Sequence, residues 1–127
     1  MLTNAITPGV QPVRFFIDSA DRSAAEPWLK TGMFSGVTTN PQLLHEAGQR
    51  VSDIPTIYEW ARDGGAREVC FQVWGATSEE LYRAAMQIRE AAPGATIKVP
   101  VTPAGAQTIS RLRDLDIPVL MTAVYSA

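Results

Sequence analysis

Short apolar segments alternate with amphipathic helical segments along most of this 127-residue chain, and this alternation constrains the fold more than any other feature. The apolar segments are nearly continuous in apolar character, which is typical of strands buried on both faces of a parallel sheet. They occupy residues 13–18, 36–39, 68–74, 96–101 and 118–124. The pattern therefore predicts an α/β fold, a parallel βα repeat of about five strands.

Helix start signals follow several of these segments. Asn40 and Thr102 each place a capping side chain before a proline at the first helical position. Thr77 begins a capping box, in which a glutamate follows the hydroxyl three residues later. A weaker helix over residues 23–30 must accommodate Pro27, which we expect in its first turn. Helical connections of this kind suit crossovers between parallel strands.

Composition excludes several classes of protein. The 11 basic and 13 acidic residues give a net charge of −2 and form no run of like charge, so we expect no nucleic-acid partner. No apolar stretch approaches the roughly 18 residues of a membrane helix, so we expect no membrane partner. A single cysteine suits a reducing compartment and favours a cytoplasmic location. Residues 1–12 predict an irregular N-terminal arm, followed by one domain over residues 13–127.

Lys98 is the most informative candidate for chemistry. The chain has two lysines, and this one lies in the middle of the apolar segment IKVPV. An ammonium inside an apolar strand is costly unless it is paired or neutralised, and desolvation favours the neutral amine. A neutral lysine amine is the nucleophile that forms a Schiff base with a carbonyl compound. The alternatives are a lysine whose stem extends to water and a lysine paired with a carboxylate.

Hydrogen-bonding or ionisable side chains also lie near the carboxyl ends of the other predicted strands. They are Asp18 in the first strand, Thr38 and Asn40 at the end of the second, Gln72 in the third and Thr122 in the fifth. Because βα folds bind ligands at the carboxyl ends of their parallel strands, these side chains predict a site there. Asp18 could instead cap the following helix, and Asn40 could serve as cap and site residue together.

Other reactive residues are assigned structural roles. His45, the only histidine, falls on the polar side of a short helix and is expected at the surface. Cys70 lies among apolar residues and is expected in the core, and the three tryptophans are expected in the core or in walls. No spacing of histidines, cysteines and carboxylates suits a metal, and no glycine-rich phosphate loop is present. We therefore expect no metal and no cofactor.

Five motifs at the predicted strand ends resemble those of the transaldolase family, most closely its short branch of fructose-6-phosphate aldolases and small transaldolases. The motifs are FID (16–18), GVTTNP (36–41), FQV (71–73), IKVPVT (97–102) and TAVY (122–125). The likeness runs from about residue 15 to residue 127. It implies a partial (β/α)8 (TIM) barrel and a Schiff-base (class I) aldolase or transaldolase of carbohydrate metabolism. The implied substrates are sugar phosphates or dihydroxyacetone-type donors.

The resemblance also implies a role for each residue that binds or activates the donor. Lys98 matches the Schiff-base lysine on the fourth strand, and no metal is needed because the protonated imine acts as the electron sink. Asp18 matches the aspartate that assists proton transfer. Thr38 and Asn40 match the residues that line the site and hydrogen-bond the donor.

Two further residues match the pair that holds the catalytic water in this family. They are Gln72 on the third strand and Thr122 on the fifth. The third-strand position is typically glutamate in transaldolases proper and glutamine in the aldolase branch. Gln72 therefore favours an aldolase.

The family barrel has eight strands, and its later strands supply an arginine and a serine for phosphate and an aromatic residue near the water. This chain stops directly after its fifth predicted strand. The alternative to an active enzyme is therefore a catalytically silent half-barrel, a fragment or assembly unit that needs the missing strands. Such a unit would self-associate through its open sheet edges. A deoxyribose-phosphate aldolase is a further alternative, against which the TTNP and KVPVT contexts argue.

Overall fold

A computed structural model describes residues 14–122, in which five parallel strands form one sheet. The strands lie in space in the order of the sequence, and each pairs in parallel with the next. They are β1 (Phe16–Asp18), β2 (Gly36–Thr39), β3 (Glu68–Gln72), β4 (Thr96–Pro100) and β5 (Val119–Thr122). This arrangement confirms the predicted parallel βα repeat, and its sequential strand order is that of a partial (β/α)8 barrel.

One or two helices join each strand to the next, and several of them begin at capping side chains. Asn40, Thr77 and Thr102 each accept a hydrogen bond from the backbone N–H three residues later, as their positions in the sequence predict. The helices are α1 (Arg22–Leu29), α2 (Pro41–Glu46), α3 (Ile54–Asp63), α4 (Ser78–Ala91) and α5 (Pro103–Asp114), with a 3-10 turn at Val51–Asp53 before α3. The helices that begin at these caps return the chain to the amino edge of the sheet, where the next parallel strand begins.

The buried core lies between the outer face of the sheet and the helices. Val37, Phe71 and Ile97 from the strands are at most 1% exposed, and they join one cluster with Ile57 and Ile88 from the helices. Right-handed crossovers between strands in sequential order place all the helices on this one side of the sheet. The opposite, inner face is therefore free to carry polar side chains.

Two details of the first helix differ from the sequence prediction. Pro27 occupies the sixth of the eight positions of α1 and not its first turn, because Asp21 caps the helix and starts it early. Trp28 is 57% exposed and lies roughly perpendicular to the ring of Phe34, so the expectation of a core or wall position is wrong for this tryptophan. Trp60, at 6% exposure, does lie in the core.

The predicted arm at residues 1–12 lies outside the described residues, as do residues 123–127 of the last motif. Within the described range, no helix is both long and apolar enough to cross a bilayer.

Candidate active site on the inner face of the sheet

The predicted site residues on the strands share the inner face. Register pairs Asp18 with Thr38, Gln72 with Lys98, and Pro100 with Thr122. Paired residues of neighbouring strands point to the same side, as do residues two positions apart on one strand. Lys98 and Pro100 are two positions apart on β4, so their pairs share a face. Thr38 pairs with Cys70, which is two positions before Gln72 on β3, so all three pairs lie on the inner face. The sequence prediction thus selected one face of the sheet.

The strand tilt that is usual in a (β/α)8 barrel would bring three of these residues to one level. In register, Gln72 lies two positions and Thr122 four positions beyond the row of Asp18. In a (β/α)8 barrel the strands tilt, so that residues at one level advance by about one position per strand. Gln72 is two strands away from Asp18 and Thr122 is four strands away, so the tilt compensates both offsets. We call the level of Asp18, Gln72 and Thr122 the upper level.

Lys98 lies directly below the upper level. The same displacement puts Lys98 and Thr38 one position lower, and Phe16, Cys70 and Leu120 one position lower again. Cys70 is fully buried, and Lys98 is partly buried in the third of the five positions of β4. The amine therefore has polar groups above it and weakly polar or apolar side chains below it.

Lys98 has no carboxylate partner in the described part of the chain. The ion pairs found in residues 14–122 join Arg14 to Glu68, Arg22 to Glu26 and Arg111 to Glu79. A structural ion pair, one of the two alternative explanations for a lysine in this strand, is therefore absent there.

Asp18 is positioned by Thr38. The Thr38 hydroxyl donates a hydrogen bond to the Asp18 carboxylate, and Thr38 is only 3% exposed. Asp18 does not cap α1, because Asp21 accepts the hydrogen bond from Ser23 N at 3.0 Å and fills that role. The carboxylate of Asp18 is thus exposed at the carboxyl end of β1 and oriented from one side only.

Asn40 lies just beyond the end of β2 and caps α2. Its Oδ1 accepts a hydrogen bond from Leu43 N at 2.8 Å, which confirms the capping role. The side chain is half-buried, and an amide held by its oxygen still has two N–H groups to donate. The cap and a contact to a ligand are therefore compatible at this residue.

Cys70 is a neutral, buried thiol at the level below Lys98. Burial raises its pKa to about 12, and the neighbouring Glu68 carboxylate adds to the increase. Lys98, Arg14 and the nearby Thr96 hydroxyl act in the opposite direction and are outweighed. The thiol is therefore part of the packed interior, in agreement with the sequence prediction of a core position.

We expect the thiol of Cys70 to resist a disulfide reagent in the folded chain at pH 8 and to react at once in urea. The thiolate fraction at that pH is on the order of 10⁻⁴ for a pKa of about 12.

Because the folded state holds the proton of Cys70 more tightly than the unfolded state does, the free energy of unfolding also falls as pH rises from 9 toward 12. Urea titrations of wild type and Cys70→Ala at pH 8 and pH 10.5 measure this loss of stability. An equal change of the unfolding free energy with pH in both proteins would contradict the prediction.

A polar network at the amino edge of the inner face was not predicted from the sequence. Glu68 accepts hydrogen bonds from Thr96 Oγ1 at 3.0 Å and from Arg14 Nη1 at 3.2 Å. The signal in the sequence was the spacing of Glu68, Cys70 and Gln72, since residues two apart on one strand share a face. The network links β4, β3 and the residues before β1, and thereby fixes the floor of the interior below Lys98.

His45 is exposed on α2, as the sequence predicts. Within residues 14–122, no group of three or more histidines, cysteines, aspartates and glutamates is arranged to hold a metal ion.

Comparisons with known proteins match this chain over almost its whole length. The sequence profile of the family described as Transaldolase/Fructose-6-phosphate aldolase matches residues 15–127. A probable transaldolase of Exiguobacterium sibiricum is 32% identical over 114 residues, which are 90% of this chain and 52% of that protein. A probable transaldolase of Cereibacter sphaeroides is 32% identical over 122 residues, with 90% of this chain and 51% of that protein covered. Probable transaldolase 1 of Bacillus cereus is 28% identical over 119 residues, again about half of its length.

The chain thus spans about half the length of the curated relatives that it matches. The matched half contains the inner-face residues described above.

Proposed function

Because the chain belongs to the transaldolase/fructose-6-phosphate aldolase family, we propose that it carries the Schiff-base-forming part of a class I aldolase or transaldolase site, with Lys98 as the nucleophile. The observation that carries this proposal is the position of Lys98. Its side chain lies inward from the middle of β4, without a carboxylate partner in residues 14–122, between a polar level and a buried thiol. A lysine amine in this position is the nucleophile that forms a Schiff base with a carbonyl compound.

The reaction follows from the chemistry of that amine. Lys98 Nζ attacks the carbonyl carbon of a ketose or dihydroxyacetone-type donor, and loss of water gives a protonated imine. With the imine at C2 of a ketose, removal of the proton from the C4 hydroxyl turns C4 into the carbonyl carbon of a departing aldehyde and breaks the C3–C4 bond, and the electron pair of that bond moves toward the imine to give an enamine. The enamine then adds to an aldehyde or takes up a proton. Water finally hydrolyses the imine and releases Lys98.

The upper-level residues suit the proton transfers of this reaction. The Asp18 carboxylate, oriented by the Thr38 hydroxyl, is one candidate base for the donor hydroxyl. We propose that Gln72 and Thr122, at the same level, hold the water that carries the proton. Asn40 is proposed to donate its free amide N–H to the donor, while its oxygen caps α2.

Within the family, an aldolase is our preferred assignment. Its support is Gln72, a side chain that cannot ionise, at the level just above the nucleophile. The substrates we propose are sugar phosphates or dihydroxyacetone-type donors in carbohydrate metabolism. We also propose a cytoplasmic location, which the use of a single, buried cysteine favours.

Reduction of the imine tests the proposal. The chain is incubated with dihydroxyacetone or fructose 6-phosphate, borohydride is added, and the intact mass and the proteolytic peptides are measured. The expected product carries the donor less one oxygen atom on the peptide that contains Lys98. An unmodified Lys98 peptide with both donors would contradict the proposal.

The sheet edges favour a second candidate role, that of an assembly unit. Within residues 14–122, β1 and β5 each pair on one side only, and Phe15 and Met121 beside these edges are 55% and 61% exposed. Unpaired edges flanked by apolar side chains promote strand pairing between chains. We expect sedimentation to give a mass above that of the 13.8 kDa monomer. Met121→Lys should shift the chain toward the monomer, and a monomeric wild-type chain at high concentration would exclude this role.

A further inference from the structure

A small cavity lies between the side of α2, the segment that leads from α2 into the 3-10 turn, and Trp74 after β3. Its volume is about 230 Å³, below the roughly 300–1,000 Å³ of sites for drug-sized ligands. An apolar cavity of about 150 Å³ is large enough for one benzene molecule, so this cavity has room for a single ring with a small substituent. Neither the family comparison nor the sequence motifs assign a ligand to it.

The cavity is separate from the proposed imine site. In the part of the chain that the structure describes, none of the residues proposed for the reaction lines it. Pro41, Leu44 and His45 fall at i, i+3 and i+4 and form one side of α2, and Pro41 has no N–H that could bind a ligand at the start of this helix. Because β2 and β3 each pair with a strand on both sides, the cavity lies away from the open edges of the sheet.

Most of the cavity wall is apolar. Leu44 is 6% exposed and Trp74 is half-buried, and Pro41 and Val51 complete the apolar part of the lining. The indole of Trp74 is the largest of these side chains, and aromatic rings pack favourably against one another. The wall therefore suits the ring of a small aromatic molecule.

The charged side chains that line the cavity are basic. They are His45 and Arg50, both exposed, and no aspartate or glutamate among the described residues lines it. Two carboxylates of the same segment hold other groups, since Asp53 accepts from the N–H of Arg50 at 2.8 Å and Glu46 accepts from Gln42 Nε2 at 3.0 Å. Arg50 takes part in none of the ion pairs found between residues 14 and 122. A guanidinium in this state can bind the carboxylate of a ligand through two parallel hydrogen bonds.

Two other cavities of the chain lack this combination. A cavity of about 260 Å³ at the ends of β1 and β2 is lined by Asp18, Asp21 and Glu46, so it would repel an anion. A cavity of about 500 Å³ between α4 and α5 is lined by both Arg89 and Glu90, and Arg89 Nη1 already donates to a backbone oxygen at 2.8 Å. Of these three, only the cavity at Trp74 combines an apolar wall with basic groups alone.

We propose that the cavity at Trp74 binds a small aromatic carboxylate, with the ring against Trp74 and Leu44 and the carboxylate at the guanidinium of Arg50. Inorganic phosphate would leave the apolar wall without a partner, and an uncharged ring would leave Arg50 without one. This site goes beyond the proposed function, because its ligand is neither the donor nor the acceptor of the Lys98 chemistry.

Benzoate, benzamide and benzamidinium test the proposal, because they share one shape and carry one negative charge, no charge and one positive charge. Each is titrated into the chain, and the indole N–H signal of Trp74 in proton NMR spectra, identified by its loss in Trp74→Phe, reports binding. We expect benzoate to shift this signal with an affinity about fivefold above that of benzamide, and benzamidinium to bind more weakly than benzamide. Trp28, which is 57% exposed on α1, is the internal control for unspecific contact with the ring.

The same titrations contain the outcomes that would overturn the proposal. One is an equal affinity for all three ligands, because the basic side chains would then contribute nothing. Another is an equal shift of Trp28 and Trp74. A third is displacement of benzoate by an equimolar concentration of inorganic phosphate, since the apolar wall would then have no part in recognition.

Arg50→Gln and Arg83→Gln form the matched pair of variants. Both residues are exposed and both changes remove one positive charge, but Arg83 lies on α4 outside the cavity. We expect Arg50→Gln to lower the affinity for benzoate to that for benzamide, and Arg83→Gln to keep the preference for benzoate. An equal loss in both variants would mean that net charge attracts the anion, and the site at Arg50 would be wrong.

Lys98→Met tests whether the ligand binds outside the inner face. We expect this variant to bind benzoate as wild type does, because Lys98 does not line the cavity. Loss of the Trp74 shift in Lys98→Met would place benzoate at the inner face and overturn the proposal. These titrations need no imine, so their outcome is independent of borohydride trapping at Lys98.

Discussion

Lys98→Met is expected to abolish borohydride-dependent labelling of the chain by dihydroxyacetone. Methionine matches the length and apolar stem of lysine but has no amine, so no imine can form at this position. In any preparation that cleaves fructose 6-phosphate, we expect kcat/KM to fall on the order of 10³-fold or more, because the covalent route is lost. Intact-mass measurement before and after reduction is the primary readout, since it needs one imine and not a complete catalytic cycle.

The chain supplies its own control for this experiment. Lys30, the other lysine, is exposed at the end of α1, and Lys30→Met removes an amine without touching the inner face. We expect Lys30→Met to be labelled as wild type is, and peptide mapping separates both lysines from the N-terminal amine. Equal labelling of Lys30 and Lys98, or labelling that survives Lys98→Met, would mean that Lys98 has no special reactivity.

Local chemistry explains why much of the fold could be predicted. A cap such as Asn40 or Thr102 acts within three residues of itself, so the sequence around it is sufficient to predict where a helix begins. The near-continuous apolar character of β3 and β4 likewise reflects burial of the individual strand. The helix with Pro27 was harder, because Asp18, Ser19 and Asp21 are all capping residue types, and their competition is decided by the path of the chain after β1.

The relation between strands is the part that local sequence does not contain. Asp18 and Gln72 come to one level only through the register of β1 with β2 and of β2 with β3, together with the tilt of the sheet. The contact of Glu68 with both Arg14 and Thr96 depends on the same register. The family resemblance predicted that the motif residues share a site, although local sequence does not contain that information. Glu68, Thr96 and Trp74 lie outside the five motifs, so their positions were not predicted.

Gly36→Ala is expected to destabilise the chain by about 3 kcal/mol, or roughly 10 °C in Tm, although the substitution adds a single methyl group. A Cβ at residue 36 would lie 1.9 Å from the backbone carbonyl oxygen of Glu68 and 3.2 Å from the ring of Phe16. Both neighbours are in register with Gly36 on the inner face, and the carbonyl belongs to β3, so relief requires two strands to separate. Chemical denaturation of the variant and wild type measures the loss.

Gly48→Ala is the comparison that isolates this steric cause. Gly48 has φ +70° after α2, and a Cβ there would meet nothing within 4 Å, so only the backbone conformation resists the change. We expect that variant to lose about 1 kcal/mol. If Gly36→Ala were no more destabilising than Gly48→Ala, the close approach of β2 to β3 would be wrong. The register that places Asp18, Gln72 and Thr122 at one level depends on that approach, so the stability of Gly36→Ala also tests the geometry of the proposed active site.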